Sequence, residues 1–485
     1  MGEAPETRAR LMVEEAALAL HDGDRPGAAR HLERAVRTLE SMRRTAAAGL
    51  ATDFYSADMA ESLETLVGLY GALGDAPNLQ RIGELLKGVA LAEQLEQDVL
   101  VRPESSGRLP SDRPARFEGS HHPLPGPLGL AALQAAVPAH AAMLDYYILP
   151  DGGFVLWVTR ETARLFPLAT PRVELVRAID ETMARLRTHR NTDADLTGLS
   201  KRLLEPVAGV LAAAAPDLLL IAPHGVLHMF PFEALPFGPG RLIDATAVAY
   251  LPTPGALRWQ RGASSRHPAG KVLVLGDPTS DLPEARGEAQ DVGKYLGVEP
   301  LVGAAADRGA VAGAGALSVL HIASHGHQSW TRDGAWLALA DGRFGPREIR
   351  MLSLPGALVV LSACESGIAP VSAGDEMPEA LDRSFLAAGA ETVVSTRWQV
   401  SDRVTRDLMS RFYARIGAAD HPQPAQAWAE AVRTHRAQIG TLAQNALGAT
   451  RGISPASSPL GASPDRLEHW AAFKVVVAPR SSAFP

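Results

Sequence analysis

One cysteine, Cys364, is all that the 485 residues hold. That excludes an intramolecular disulfide and any zinc site built from several thiolates. No apolar run reaches the roughly 18 residues that a membrane-spanning helix needs, so no membrane partner is expected. Blocks of like charge are also missing. The 47 basic and 54 acidic residues leave a formal net charge of -7, without the basic stripe of a nucleic-acid binder. The opening stretch, "MGEAPETRARL", is polar and has no apolar segment of the kind a secretory leader carries, so the expected location is cytoplasmic. What the chain does have is 46% hydrophobic and 21% charged residues, the balance of a globular protein with a sizeable core. Its length admits two or more domains.

Residues 1–100 read as helices. Ala29, Leu32, Val36 and Leu39 recur at helical spacing, as do Leu63, Leu66, Val67 and Tyr70, and Leu79, Ile82, Leu86 and Val89. Two helix pairs are broken alike, at His21-Asp22-Gly23-Asp24 and within Gly71–Asp75. The stretch "LYGALGDAPNLQRIGELLKGVALAEQ" resembles a tetratricopeptide (TPR) unit, although the two Gly-Asp turns lie about 50 residues apart rather than about 34. A plain helical bundle is the alternative. Residues 101–140 are expected to link this region to the rest, because their first part is rich in Pro, Gly and Ser without periodicity. His121 and His122 in that linker are expected in solvent.

Residues 141–485 change character. "YYILPDGGFVLWVT" reads as strand, turn and strand. Short apolar runs follow: "DLLLIAP", "KVLVLGD", "LSVLHIAS", "ALVVLSAC" and "ETVVSTRW". Helical stretches lie among them, including "VELVRAIDETMARLRT", "LSKRLLEPVAGVLAA", "PEARGEAQDVGKYLG" and "MPEALDRSFLAAGA". Buried β-rich runs alternating with helices argue for an α/β fold, a mostly parallel sheet flanked by helices. Function in such sheets gathers at the carboxyl ends of the strands. Residues 440–466 read as a surface loop, and "HWAAFKVVVAP" as a closing strand.

Two strand ends carry reactive groups. In "VLHIASHGHQ" the apolar run stops at Ala323, and the turn Ser324-His325-Gly326 follows. In "LVVLSACESG" it stops at Ala363, before Cys364. Both side chains are thereby delivered to one edge of the sheet. A free thiol has a pKa of about 8.5, so a neighbouring imidazole is needed to take its proton and later to protonate a leaving amine. The backbone N–H groups of Gly326 and Cys364 are candidates for an oxyanion hole. One thiol and one imidazole suffice for acyl transfer, so neither metal nor cofactor is expected.

The paired motifs "HIASHG" and "LSACESG" resemble those of CHAT domains, caspase-like domains often found beside TPR repeats and grouped with caspases, metacaspases and separases. "LLLIAPHGVLHMFPFEALPF", "GDEMPEALDRSFLAAGAETVVSTRWQVSD" and "HWAAFKVV" resemble further segments of that family, so the likeness covers residues 141–485. Departures are Pro378-Glu379 in place of Gly-Leu and Thr396-Arg397 in place of Ser-Leu. The resemblance implies a cysteine peptidase acting on a protein substrate, with the catalytic dyad His325 and Cys364 and a packing role for His321. It also implies structural roles for His224 and His228, and a share in shaping the substrate cleft for Trp398 and Asp402. Asp375 and Glu376 follow the cysteine loop, where they can bind a basic or polar substrate group. Caspases surround this pocket with arginine, and metacaspases carry an aspartate two residues before the cysteine. Ser362 stands at that position here, so neither specificity transfers. The N-terminal helices are expected to receive a regulatory protein or ligand.

Rival readings remain at this point. His321, His325 and His327 have a spacing that can converge on zinc from an extended strand, yet Asp333 is the only carboxylate nearby and Cys364 is left without a role. A catalytically silent caspase-like scaffold and a redox-sensing thiol are the others.

Overall fold

The computed structural model of the chain describes residues 5–45, 57–87, 127–260, 270–327, 335–363, 366, 381–400, 402–418, 423–449 and 467–478. They form two compact units, one up to Leu130 and one from Ala131 onward.

In the first unit, helices Pro5–His21 and Arg25–Thr45 pack together, and Ala57–Leu73 packs against the first of them. Residues 76–87 form a further helix. The two Gly-Asp breaks are built alike. Gly23 and Gly74 take left-handed backbone angles, φ +80° and +72°, which only glycine adopts without strain. The next N–H reaches back to end the helix: Asp24 to the Ala19 carbonyl at 2.8 Å and Asp75 to the Tyr70 carbonyl at 2.9 Å. The same aspartates then cap the following helix, accepting from the N–H of Gly27 at 2.9 Å and of Asn78 at 3.1 Å. The apolar faces are buried as the spacing required, with one shift. Ala28, not Ala29, joins Leu32, Val36 and Leu39 inside, because Ala35 widens the buried stripe toward it. Leu79, Ile82 and Leu86 are buried as well, while Val89 lies outside the described residues.

The second unit is built on a sheet that has eleven strands among the described residues. Its order is β3 (Ala163–Leu168), β2 (Gly152–Val158), β1 (Ala141–Leu149), β4 (Leu218–Ala222), β7 (Ala247–Tyr250), β16 (Phe473–Val477), β15 (Thr392–Thr396), β14 (Leu358–Ser362), β10 (Leu317–Ala323), β8 (Lys271–Gly276) and β9 (Leu301–Val302). Strands β1, β4, β7 and β16 run parallel to one another. So do β15, β14, β10, β8 and β9. The two sets meet antiparallel at β15 and β16. Two small sheets stand apart: β5 (Pro236–Phe237) with β6 (Gly240–Arg241), and β11 (Gly326–His327), β12 (Trp336–Leu339) and β13 (Gly342–Phe344). Every residue of β1 and β10 is buried, as continuous apolar runs covered on both faces must be. The mostly parallel sheet flanked by helices expected from the sequence is therefore the architecture found.

Two local expectations are corrected. "LSKRLLEPVAGVLAA" is not one helix but Asp193–Leu203 and Ala208–Ala214, joined by a tighter turn at Glu205–Val207. Pro206 has no N–H to continue the ladder. Residues 440–449, expected in a loop, complete the helix Pro424–Ala449. "GTLAQNALGA" holds no proline and is rich in alanine and leucine, so its glycines do not end the helix.

A buried ionic cluster sits where the two strand sets meet. Arg397, which follows β15, is fully buried and donates to Glu233 Oε1 at 2.6 Å and to the carbonyls of Ala471 and Phe473 at 3.1 and 2.8 Å. Its guanidinium also lies over the Tyr250 ring at 4.8 Å, and the Tyr250 hydroxyl donates to Glu233. Burial opposes the charge on Arg397, but Glu233 and Tyr250 hold its pKa above the usual value. Beside it Lys474 pairs with Asp382 at 2.6 Å, both buried.

Candidate active site

Strands β10 and β14 are parallel neighbours with one fixed offset. Val319 faces Leu358, and the pairing runs without a break to Ala323 and Ser362. Beyond it the Ser324 N–H still donates to the Ser362 carbonyl at 3.2 Å. The same offset leads from His325 to Cys364 in the sequence. Cys364 itself lies outside the described residues, as do Asp375 and Glu376.

The backbone on both sides of Cys364 is described and firmly held. The Thr396 hydroxyl donates to the Ala363 carbonyl at 2.5 Å, and the Thr396 N–H donates to the Ser366 hydroxyl at 3.1 Å. Threonine thus supplies a buried hydroxyl where the CHAT pattern has serine. His325 is held through its backbone, since its carbonyl accepts from the Ala338 N–H of β12 at 2.9 Å. The preceding Ser324 hydroxyl donates to the Ala338 carbonyl. The imidazole of His325 is 38% exposed, and its Nε2 lies 3.1 and 3.2 Å from the two carboxylate oxygens of Asp281. The sequence reading did not single out Asp281. The Thr279 hydroxyl, and then His325, hold the Asp281 carboxyl below the usual carboxylate range.

Gly326 opens β11 and pairs with Leu337. His327 stacks on Trp336, ring centroids 3.9 Å apart, and the Arg343 guanidinium also lies over the Trp336 ring at 4.8 Å. Burial lowers the His327 pKa, helped by His325 and Arg343. His321 is buried inside β10, 3.2 Å from the Tyr413 hydroxyl and 3.2 Å from Glu288, the latter in contact but not aligned as a hydrogen bond. Burial, then Glu288, pushes the Tyr413 hydroxyl well above its usual pKa. His321 and His325 therefore engage different partners, Glu288 and Asp281. Among the described residues no three His, Cys, Asp or Glu side chains cluster as metal ligands would. His224 is buried, with Nδ1 accepting from the Ile148 N–H at 3.1 Å, and His228 lies in the turn Gly225–Met229. Trp398 is 1% exposed, and its indole N–H donates to the Glu468 carbonyl at 3.1 Å, so it stands behind the surface of the sheet edge. Asp402 is the first residue of helix Asp402–Ala418.

The mostly parallel sheet flanked by helices, with the partly exposed His325 just beyond the end of β10, has the architecture of the caspase-like fold. Within that class the chain belongs to the CHAT domain family, whose model matches residues 193–478. Among solved structures it is similar to separase of Saccharomyces cerevisiae in the separase–securin complex, with a TM-score of 0.50 and 9% identity over 98% of this chain. The chain spans only 40% of that separase chain. A second separase–securin structure gives a TM-score of 0.48 and 10% identity, covering 94% of this chain and 38% of separase. The pro- and mature domains of RgpB from Porphyromonas gingivalis give a TM-score of 0.36 and 10% identity, covering 63% of this chain and 76% of that one. No curated protein matches the sequence. Among the described residues no helix is long and apolar enough to cross a membrane.

Proposed function

We propose that the chain is a cysteine endopeptidase that cleaves a protein substrate, with His325 as the base and Cys364 as the nucleophile. The observation that supports this best is the unbroken register of β10 and β14, whose offset also separates His325 from Cys364. In this reading the imidazole takes the thiol proton, and the thiolate attacks the scissile carbonyl. The Gly326 and Cys364 N–H groups receive the oxyanion, and the imidazolium returns its proton to the leaving amine. Asp375, Glu376 and Asp402 would meet the substrate, and Trp398 would support the cleft wall from behind. Separase is seen in complex with securin. For this chain we read residues 1–100 as the docking region for a regulatory protein or ligand, joined to the peptidase by residues 101–140.

The test compares new protein N-termini in a proteome treated with the wild-type chain or with Cys364→Ala. Cleavage at defined sites that vanishes in the variant supports the peptidase. If the two profiles match while a thiol probe labels the wild type no faster than free cysteine, the chain is a silent scaffold.

A further inference from the structure

We propose that Asp281 is the positioning residue of His325 and that the loop Asp277–Leu282 is built to hold it there. The proposal rests on the reading of His325 as the base of the dyad.

A neutral imidazole carries its proton on one nitrogen or the other, and only the bare nitrogen can accept a thiol proton. Asp281, ionised, can only accept. With both its oxygens within 3.2 Å of Nε2, it selects the tautomer protonated at Nε2 and leaves the Nδ1 lone pair for the thiol. After proton transfer the same carboxylate faces an imidazolium and stabilises it.

The Asp281 side chain is 60% exposed, and a bare surface pair of this kind holds little by itself. The surrounding loop supplies what the pair lacks, a fixed orientation. Asp277, 2% exposed, closes the loop by accepting from the Leu282 N–H at 2.8 Å and from Arg286 Nε at 3.0 Å. The Asp277 N–H donates to the Ala323 carbonyl at 3.0 Å, which ties the loop to β10 two residues before His325. Ser280 N–H donates back to the Asp277 carbonyl at 3.1 Å, and the Thr279 hydroxyl donates to the Asp281 carboxylate. Of the five non-glycine residues with left-handed φ among those described, Asp277 (φ +49°) and Ser280 (φ +60°) are both in this loop. Such conformations persist only where the surroundings over-determine them, and they concentrate at functional sites. The loop also starts from a tight seat. A Cβ on Gly276 would fall 2.4 Å from the Ala289 Cβ of helix Pro283–Leu296, so β8 ends pressed against the helix that supplies Arg286.

The lone cysteine makes the test direct, because alkylation of the full chain by iodoacetamide reports Cys364 alone. Alkylation rates are measured across about pH 5–9, where thiolates form, for the wild type, Asp281→Ala, Asp281→Asn, Asp281→Glu and His325→Ala. The 15N shifts of the His325 ring, assigned by its loss in His325→Ala, report the tautomer. Positioning predicts that Asp281→Ala slows alkylation about tenfold at neutral pH, a part of the usual acid–base contribution. It further predicts a mixture of tautomers in that variant, an unchanged melting temperature, and recovery of most of the rate in Asp281→Glu. Wild-type rate and tautomer in Asp281→Ala, with a slowed His325→Ala, would overturn the positioning role and leave the dyad standing. Wild-type rates in both alanine variants would overturn the dyad and the positioning role with it.

Discussion

His224 and His325 occupy matching places in the two strand sets of the sheet. One follows "IAP" at the end of β4 and the other follows "IAS" at the end of β10, and a glycine comes next in both. Strand β4 lies between β1 and β7 as β10 lies between β8 and β14. The offset of β4 and β7 leads in the sequence from His224 to Thr253, as that of β10 and β14 leads from His325 to Cys364. The fates of the two histidines differ because the outer neighbours differ. Strand β1 runs on to Leu149, past Asp145 where its pairing with β4 ends, and its Ile148 N–H covers His224. Strand β8 stops at Gly276, level with Ala323, and turns into the loop that bears Asp281. Thr253 is buried too, its hydroxyl accepting the Gly255 N–H at 3.0 Å. The same short motif is thus sealed into structure on one side and left partly exposed on the other. A few residues of neighbouring strand make the difference.

The comparison is broken most severely at the junction of the two sets. Glu233→Ala should cost about 3–5 kcal/mol, because it leaves the buried Arg397 without its counter-charge. Denaturant melts read this loss, and both sets should unfold in one transition. A two-step melt would show that the sets are independent. Next in size is the contrast between the histidines. His325→Ala should lower peptide cleavage about 100-fold or more with no change in stability. His224→Ala should instead cost about 1–3 kcal/mol, because the buried Ile148 N–H loses its acceptor, and should leave the activity per folded molecule intact. Equal effects of the two variants on cleavage would erase the distinction. The smallest effect concerns acid. The Asp281 pKa is lowered in the folded state, so its contribution to stability is present above the unfolded value of about 4 and fades as pH falls through the lowered one. The group is exposed, so wild-type and Asp281→Asn melting temperatures should agree within about a degree from neutral pH down to that range. A wide gap at neutral pH would make Asp281 a structural residue.

Much of this was legible in the sequence, for physical reasons. Strands β4, β8, β10, β14, β15 and β16 announce themselves because burial on both faces demands unbroken apolar runs. Their neighbours do not, since a run such as "KVVV" gives no sign of which strand it will pair with or in which direction. The small sheet of β11, β12 and β13 has strands too short to show a period. Asp281 escaped because it lies 44 positions before His325 in "GDPTSDLPEA", a turn-rich stretch with no pattern. The usable clue was its place just beyond the carboxyl end of "KVLVLGD", on the edge where function gathers. The pairing of Arg397 with Glu233 had a fainter clue. An arginine replaces the leucine of the CHAT pattern, and a glutamate fills the variable place in "PFEAL".

Strand β16 bears on how the chain is made. It is drawn from residues 473–477, yet it sits mid-sheet between β7 and β15, which end at Tyr250 and Thr396. On a ribosome, both of those strands emerge with one edge unpaired and wait for a late segment to fill the gap. Open edges of this kind invite pairing with other chains, and such long-range closure is slow. Until that strand arrives, Arg397 also lacks the carbonyls of Ala471 and Phe473 that hold it. Nascent chains halted between residues 400 and 470 should therefore be the aggregation-prone species of this protein. The backbone at Ala363 and the Ser366 hydroxyl, both bonded to Thr396 beside the gap, would gain their final support only when synthesis has passed residue 477.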